Sequence, residues 1–125
     1  MPVRILIADD NRDAADTMGM LLELGGHEAI IAHSGNQALQ LGREHRPDVV
    51  ILDIGMPDLN GYDVARTARN EEWGKSAYLI ALTGWGQAED KERARLAGFD
   101  RHLTKPVDPD LVEEILKEHM GGKQA

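Results

Sequence analysis

Four short apolar runs rich in β-branched residues, at residues 3–8, 29–32, 49–52 and 77–82, recur along the chain with longer segments of helical periodicity between them. Runs this short and this continuously apolar read as strands buried on both faces, the pattern of a parallel sheet covered by helices. A weaker fifth candidate, residues 99–104, is interrupted by Asp100 and Arg101, as expected of a strand nearer an edge. Five strands alternating with five helices imply an α/β fold, an open five-stranded parallel sheet with helices on both faces.

The helical segments carry their own start and stop signals. The first places Ala14, Met18, Leu21, Leu22 and Gly25 on one face and stops at Gly25-Gly26. The second begins at Ser34, where Ser-x-x-Gln to Gln37 has the form of a capping box. Asn60 can cap the third. The fourth, about residues 87–97, is dominated by charge, is expected to be held less tightly than its neighbours, and ends at Gly98. Asp108 followed by Pro109 opens the fifth, with Leu111, Val112, Ile115, Leu116 and His119 expected to turn inward.

A chain of 125 residues is long enough for one sizeable core and too short for two domains. The expected organisation is a single domain, 1–125, with its core at about 3–120 and a frayed tail at 121–125. No apolar run is long enough to span a bilayer, and the first residues lack the build of a secretory signal, so a cytoplasmic protein without membrane insertion is expected. The absence of cysteine excludes thiolate metal sites and disulfides. A formal charge of −8 opposes direct binding to nucleic acid, whose affinity rests on Lys and Arg displacing counterions.

Ligands of open parallel sheets collect at the carboxyl ends of the strands, where the strand order reverses. Asp9 and Asp10 close the first strand, Asp53 the third, Thr83 the fourth and Lys105 the fifth. In a sheet ordered 2-1-3-4-5 the first and third strands are neighbours, so the three carboxylates would converge. Against a single lysine they leave a formal charge of −2, and like charges held together raise pKa values and cost stability. A hard divalent cation removes that conflict, and magnesium suits a carboxylate and carbonyl shell shared with phosphate. Manganese is a possible substitute. No clustered histidine or cysteine motif suggests zinc. The loop Asp9-Asp10-Asn11-Arg12-Asp13 is acidic where a dinucleotide or flavin site would place glycines or hydroxyls, which disfavours such cofactors.

Singly, each residue has a plainer role. A lone Asp at a strand end is usually a turn former or a cap, Thr83 could be strand content, and Lys105 a solvated charge. Residues 55–61 could be a structural loop, and Trp73 and Trp85 read as surface or partly packed rings. His27, His33, His45, His102 and His119 show no ligand spacing. The joint placement of Asp-Asp, Asp, Thr and Lys-Pro at four strand ends is what points to a site.

The ordered set Ile7-Ala8-Asp9-Asp10-Asn11, Leu52-Asp53-Ile54-Gly55-Met56-Pro57, Asn60-Gly61-Tyr62, Ala81-Leu82-Thr83-Gly84 and Leu103-Thr104-Lys105-Pro106 resembles the successive signatures of bacterial response-regulator receiver domains. The stretch 82–87 and the turn 97–100 are most similar to receivers of hybrid histidine kinases. The resemblance implies a flavodoxin-like receiver fold with strand order 2-1-3-4-5. It implies that Asp53 accepts a phosphoryl group and that Asp10, Asp53 and the backbone carbonyl of Gly55 bind magnesium, while Asp9 holds a metal-bound water. Thr83 would bond a phosphoryl oxygen, Lys105 would pair with the phosphate or with Asp53, and a cis peptide would join Lys105 to Pro106. His102 stands where many receivers carry Tyr or Phe, so the switch pair here would be Thr83 and His102.

The resemblance further implies a sensor histidine kinase or histidine phosphotransfer protein as phosphodonor. It places a downstream protein partner on the face of the fourth helix, fifth strand and fifth helix. Such a protein is a phosphoacceptor in two-component or phosphorelay signalling, capable at most of losing its own phosphate, and not a turnover enzyme. Two alternatives stand beside this reading. A small magnesium-dependent phosphatase with an aspartyl-phosphate intermediate would need an acid two residues after its nucleophile, where Asp9 is followed by Asn11. A phosphate-independent binding module would not need the complete Asp, Thr and Lys set.

Overall fold

The most continuously apolar run lies at the centre of the sheet. In the computed structural model, which describes residues 3–84 and 88–121, strand β3 (Val49–Asp53) is buried at every residue. It pairs in parallel with β1 (Arg4–Ala8) on one side and β4 (Tyr78–Thr83) on the other. β2 (Glu28–Ala32) and β5 (Arg101–Thr104) are the edges, giving the order β2-β1-β3-β4-β5. Both edge strands carry charge and are only partly buried, Glu28 in β2 and Arg101 in β5 being exposed, as suits solvent-facing edges.

Alternation along the strands divides the core in two. Ile5, Ile7, Val49, Ile51, Ile80 and Leu82 face α1 (Arg12–Leu24) and α5 (Pro109–Gly121), and pack with Ala15, Leu22, Val112, Ile115 and Leu116. Leu6, Ala8, Val50, Leu52, Leu79 and Ala81 face α2 (Gly35–His45), α3 (Gly61–Arg69) and α4 (Ala88–Ala97). Because β1 leads outward to β2 while β3 starts the other wing, the strand order reverses between β1 and β3. A crevice opens there at their carboxyl ends. Among the described residues no helix is long and apolar enough to cross a membrane.

Several sequence expectations need correction. The inward stripe of α1 is Ala15, Gly19 and Leu22 with Met18 partly buried, whereas Ala14, Leu21 and Gly25 face solvent. The helix turns this way because Gly19 admits the side chain of Ile31, whose Cδ1 would lie 2.7 Å from a Cβ at that position. In α5, Val112, Ile115 and Leu116 are buried but Leu111 is exposed. The side chain of His119 lies outside the described residues, as do Trp85, Gln87 and residues 122–125.

Trp73 is no surface ring. It is 8 % exposed and lies against Gly42 of α2, while its indole N–H donates to Glu71. At the start of α2, Ser34 accepts from the N–H of Gln37, as a capping box requires. The Gln37 side chain, however, bonds the N–H of His33 rather than that of Ser34. Asn60 and Asp108 accept from Asp63 N and Asp110 N at the starts of α3 and α5.

Candidate functional site

Each strand that reaches the crevice delivers one of the residues singled out in the sequence. Asp9 follows β1 directly, and its N–H still bonds Ala32 O of β2, so the chain leaves the sheet with the Asp9 side chain turned in. Asn11 N donates to Asp9 Oδ1 at 3.0 Å and holds the carboxylate there, 3 % exposed. Asn11 Oδ1 in turn accepts from Ala14 N and caps α1. Asp10, next to it, is exposed. Asp53 ends β3 at 6 % exposure and accepts the N–H of Gly55 at 3.1 Å.

Lys105 follows β5, and its N–H bonds Thr83 O at 2.7 Å, which carries the side chain back over the crevice. Its Nζ lies 3.0 Å from Asp53 Oδ2 and 3.5 Å from Asp9 Oδ2. The Lys105–Pro106 peptide is cis. Thr83, the buried last residue of β4, has its Oγ1 2.9 Å from His102 Nε2 on the neighbouring strand. The residue that departs from the usual aromatic is therefore in direct contact with the hydroxyl at the site.

Asp9, Asp10 and Asp53 can each offer one carboxylate oxygen such that all three lie within 4.8 Å of one another, and among the described residues no histidine joins them. Three hard oxygen donors with one ammonium group suit a divalent cation of the magnesium type. The electrostatics of the pocket are uneven. Burial, followed by the charge of Asp53, pushes the Asp9 carboxyl above the ordinary Asp value, although Asn11 N–H and Lys105 pull the other way. Burial also pushes Asp53 up, but the Gly55 N–H and the Lys105 ammonium outweigh it and hold Asp53 below the ordinary value. Burial lowers Lys105, and the bonds and charges of Asp53 and Asp9 more than restore it, so the lysine stays charged beyond its usual range.

A group that sequence reasoning left inside a turn also bears on the crevice. Asp58, in the connection from β3 to α3, accepts Gly35 N at 2.9 Å and Asn36 N at 3.0 Å, the first free N–H groups of α2. The only signal for it in the sequence was an acid in a loop, which could equally be solvated.

The sequence profile of the response regulator receiver domain matches residues 5–117, nearly the full span of the sheet and its helices. The chain belongs to the receiver domain family. A curated receiver relative, the polar-differentiation response regulator DivK of Brucella anthropi, is 31% identical over 121 residues, covering 97% of this chain and 98% of its own length. A CheY-like receiver domain protein from Methanospirillum hungatei superposes with a TM-score of 0.90 at 27% identity, covering 99% of this chain and 98% of that one. The receiver domain of a sensor histidine kinase from Pseudomonas aeruginosa has a TM-score of 0.87 at 28% identity, covering 97% and 99%. That receiver holds a magnesium ion in its active-site cleft. As a receiver domain, this chain has the architecture of a two-component signalling module.

Proposed function

We propose that this receiver is a single phosphoryl-accepting switch of a two-component system or phosphorelay, with Asp53 as the phosphoacceptor. The observation that carries the reading is the state of Asp53. It is a buried carboxylate kept ionised by a lysine at 3.0 Å, at a strand end where two further carboxylates gather. An ionised oxygen at the floor of a cleft is a nucleophile for phosphorus. Attack on a phosphohistidine would form the Asp53 acyl phosphate as the P–N bond breaks, with the bonding electrons returning to the imidazole.

Asp10, Asp53 and the carbonyl of Gly55 would hold magnesium, with Asp9 behind them to orient a coordinated water. When bound, the ion supplies cationic screening of the phosphoryl oxygens. Lys105 would neutralise a phosphoryl oxygen once it is released from Asp53, and Thr83 would donate its hydroxyl to another.

The phosphodonor reading has its own support. A groove of about 660 Å³ runs from Asp9 and Lys105 along Ala14, Met18 and Leu21 of α1 to Val107. It is a largely apolar path that ends at Asp9 and Lys105, the two side chains beside Asp53. A histidine kinase or phosphotransfer protein laying a helix there would bring its phosphohistidine to Asp53, while the face of α4, β5 and α5 stays open to a downstream partner.

The test is incubation with acetyl phosphate followed by intact-mass measurement. One phosphoryl group should add in the presence of magnesium and none in its absence, because the uncompensated carboxylates repel a phosphate. Asp53→Asn should take up none. Equal uptake by that variant would move the acceptor elsewhere, and no uptake by the wild type from either acetyl phosphate or a phosphorylated histidine kinase would leave a phosphate-independent binding module.

A further inference from the structure

We infer that Asp58 is a positioning residue for the magnesium site, clamping the β3–α3 connection onto the N-terminus of α2 so that Gly55 is held where its backbone can serve the cation. The inference rests on the magnesium reading above and adds a residue that never touches the ion.

The connection leaves Asp53 and must reach the N-cap of α3 at Asn60. Gly55 is exposed, and the hydrogen bond from its N–H ties it to the same Asp53 carboxylate that would share the metal. Any sideways drift of the loop therefore moves a proposed ligand and the acceptor side chain together. Met56 is buried in the core, Ile54 and Leu59 pack against it and Gly61 N bonds Ile54 O, but apolar packing fixes the position of the loop better than its orientation and leaves the stretch from Gly55 to Asp58 some freedom to rotate.

Asp58 removes that freedom. Its two oxygens accept from two successive backbone N–H groups, Gly35 at 2.9 Å and Asn36 at 3.0 Å, a forked contact that fixes both position and orientation. Both donors belong to the first turn of α2, whose unpaired N–H groups favour a negative charge. These bonds hold the Asp58 carboxyl below the usual carboxylate range, so the clamp is charged at neutral pH. Gly35 completes the contact: a Cβ there would lie 2.4 Å from Leu59 O and 2.7 Å from Leu59 Cβ, so only glycine allows the loop to sit this close.

The helix does not depend on Asp58 alone, since Ser34 supplies a cap of its own to Gln37 N at 3.1 Å. That separates the two roles. Removing Ser34 weakens α2 and leaves the loop clamped; removing Asp58 unclamps the loop.

Magnesium chloride titrated calorimetrically into wild type, Asp58→Ala, Asp58→Asn and Ser34→Ala reads the difference. The magnesium Kd of Asp58→Ala should rise about tenfold, the lower end of what losing a partner behind a metal ligand costs. Asp58→Asn, which keeps one accepting oxygen, should fall between Asp58→Ala and wild type. Ser34→Ala should lower the thermal midpoint without changing the Kd. Wild-type affinity in Asp58→Ala, or an equal loss in Ser34→Ala, would overturn the positioning role. A wild type that takes up no magnesium would instead overturn the metal site on which it rests.

Discussion

Asp9 and Asp53 share one lysine and yet answer differently to burial. Asp9 is raised by burial and by the charge of Asp53, so in the metal-free protein its ionised form costs stability, and that cost is incurred as pH rises through its folded-state pKa. Asp53 is lowered, burial notwithstanding, by Gly55 N–H and Lys105. Its ionised form contributes stability above the ordinary Asp value, lost as pH falls through the lower folded-state value. Without magnesium at neutral pH, Asp9→Asn should therefore raise the thermal midpoint by about 4 °C, the shift that roughly 1 kcal/mol produces in a domain of this size. Asp53→Asn should lower it. Scanning calorimetry at neutral pH and again in acid checks both signs: the Asp9 difference should vanish below the ordinary Asp pKa, the Asp53 difference only below its own lowered value. Magnesium should raise the wild-type midpoint, by roughly 2.7 kcal/mol of stability at a hundredfold excess over Kd, and Asp10→Asn should remove that response. The composition of the pocket was legible in the sequence, since four strand ends carried its residues. Which of two adjacent aspartates turns inward was not, because that is decided by the N–H of Asn11 and by the pairing of Asp9 N with β2. Repulsion relieved by substitution is accordingly expected at buried Asp9 rather than at exposed Asp10.

At the scale of elements, all five strands and five helices lie where apolar runs and caps placed them, to within a few residues at their ends. What the sequence hid were contacts made through small residues. Gly19 and Ala15 carry the inward face of α1 because Ile31 fills the space that a larger residue would occupy, and periodicity that counts only large apolar side chains turns the helix the wrong way. Trp73 lies in a polar stretch and looked superficial, yet Gly42 in α2 leaves room for its ring, while a bidentate Arg43–Glu71 pair closes over the same junction. The pairing makes a prediction that runs against helix propensity. Replacing a mid-helix glycine by alanine ordinarily stabilises by about 1 kcal/mol. A Cβ at Gly42 would instead lie 2.4 Å from Trp73 Cη2 and Cζ2. Overpacking of that kind costs about 1 to 3 kcal/mol, so Gly42→Ala should be destabilising on balance in a urea titration followed by tryptophan fluorescence. A gain in stability would mean that Trp73 moves aside at little cost.

The whole molecule is polarised along its strands: chemistry at the carboxyl ends, ties at the amino ends. At the amino ends the Arg69 guanidinium donates to Gly74 O, Ala77 O and Gly98 O and pairs with Asp100 at 2.8 Å. It thereby anchors the turn in which α4 ends against α3 and the start of β4. The described side chains of α4 bury only Ala94 and Ala97 near that anchored end. For a signal that would leave Asp53 toward the face of α4, β5 and α5, a direct hydrogen-bonded route runs from Thr83 of β4 to His102 of β5, 2.9 Å apart. A phosphoryl group on Asp53 would compete for the Thr83 hydroxyl. A hydrogen bond to a charged group is worth about 1.5 to 3 kcal/mol and a neutral one about 1, so the exchange yields a net of roughly 0.5 to 2 kcal/mol. That is a population shift of about two- to thirtyfold, a graded bias rather than an absolute switch. The imidazole is the reporter. On phosphorylation by acetyl phosphate with magnesium, the ring nitrogen resonances of His102 should move, and amide resonances of β5 should move with them. In Thr83→Ala, phosphate should still add to Asp53 by mass while the His102 and β5 shifts largely disappear. His102→Ala should retain part of the β5 response, because Thr83 still turns toward the phosphate. Full-sized β5 shifts in phosphorylated Thr83→Ala would show that the signal leaves through Lys105 and the backbone bond from its N–H to Thr83 O instead.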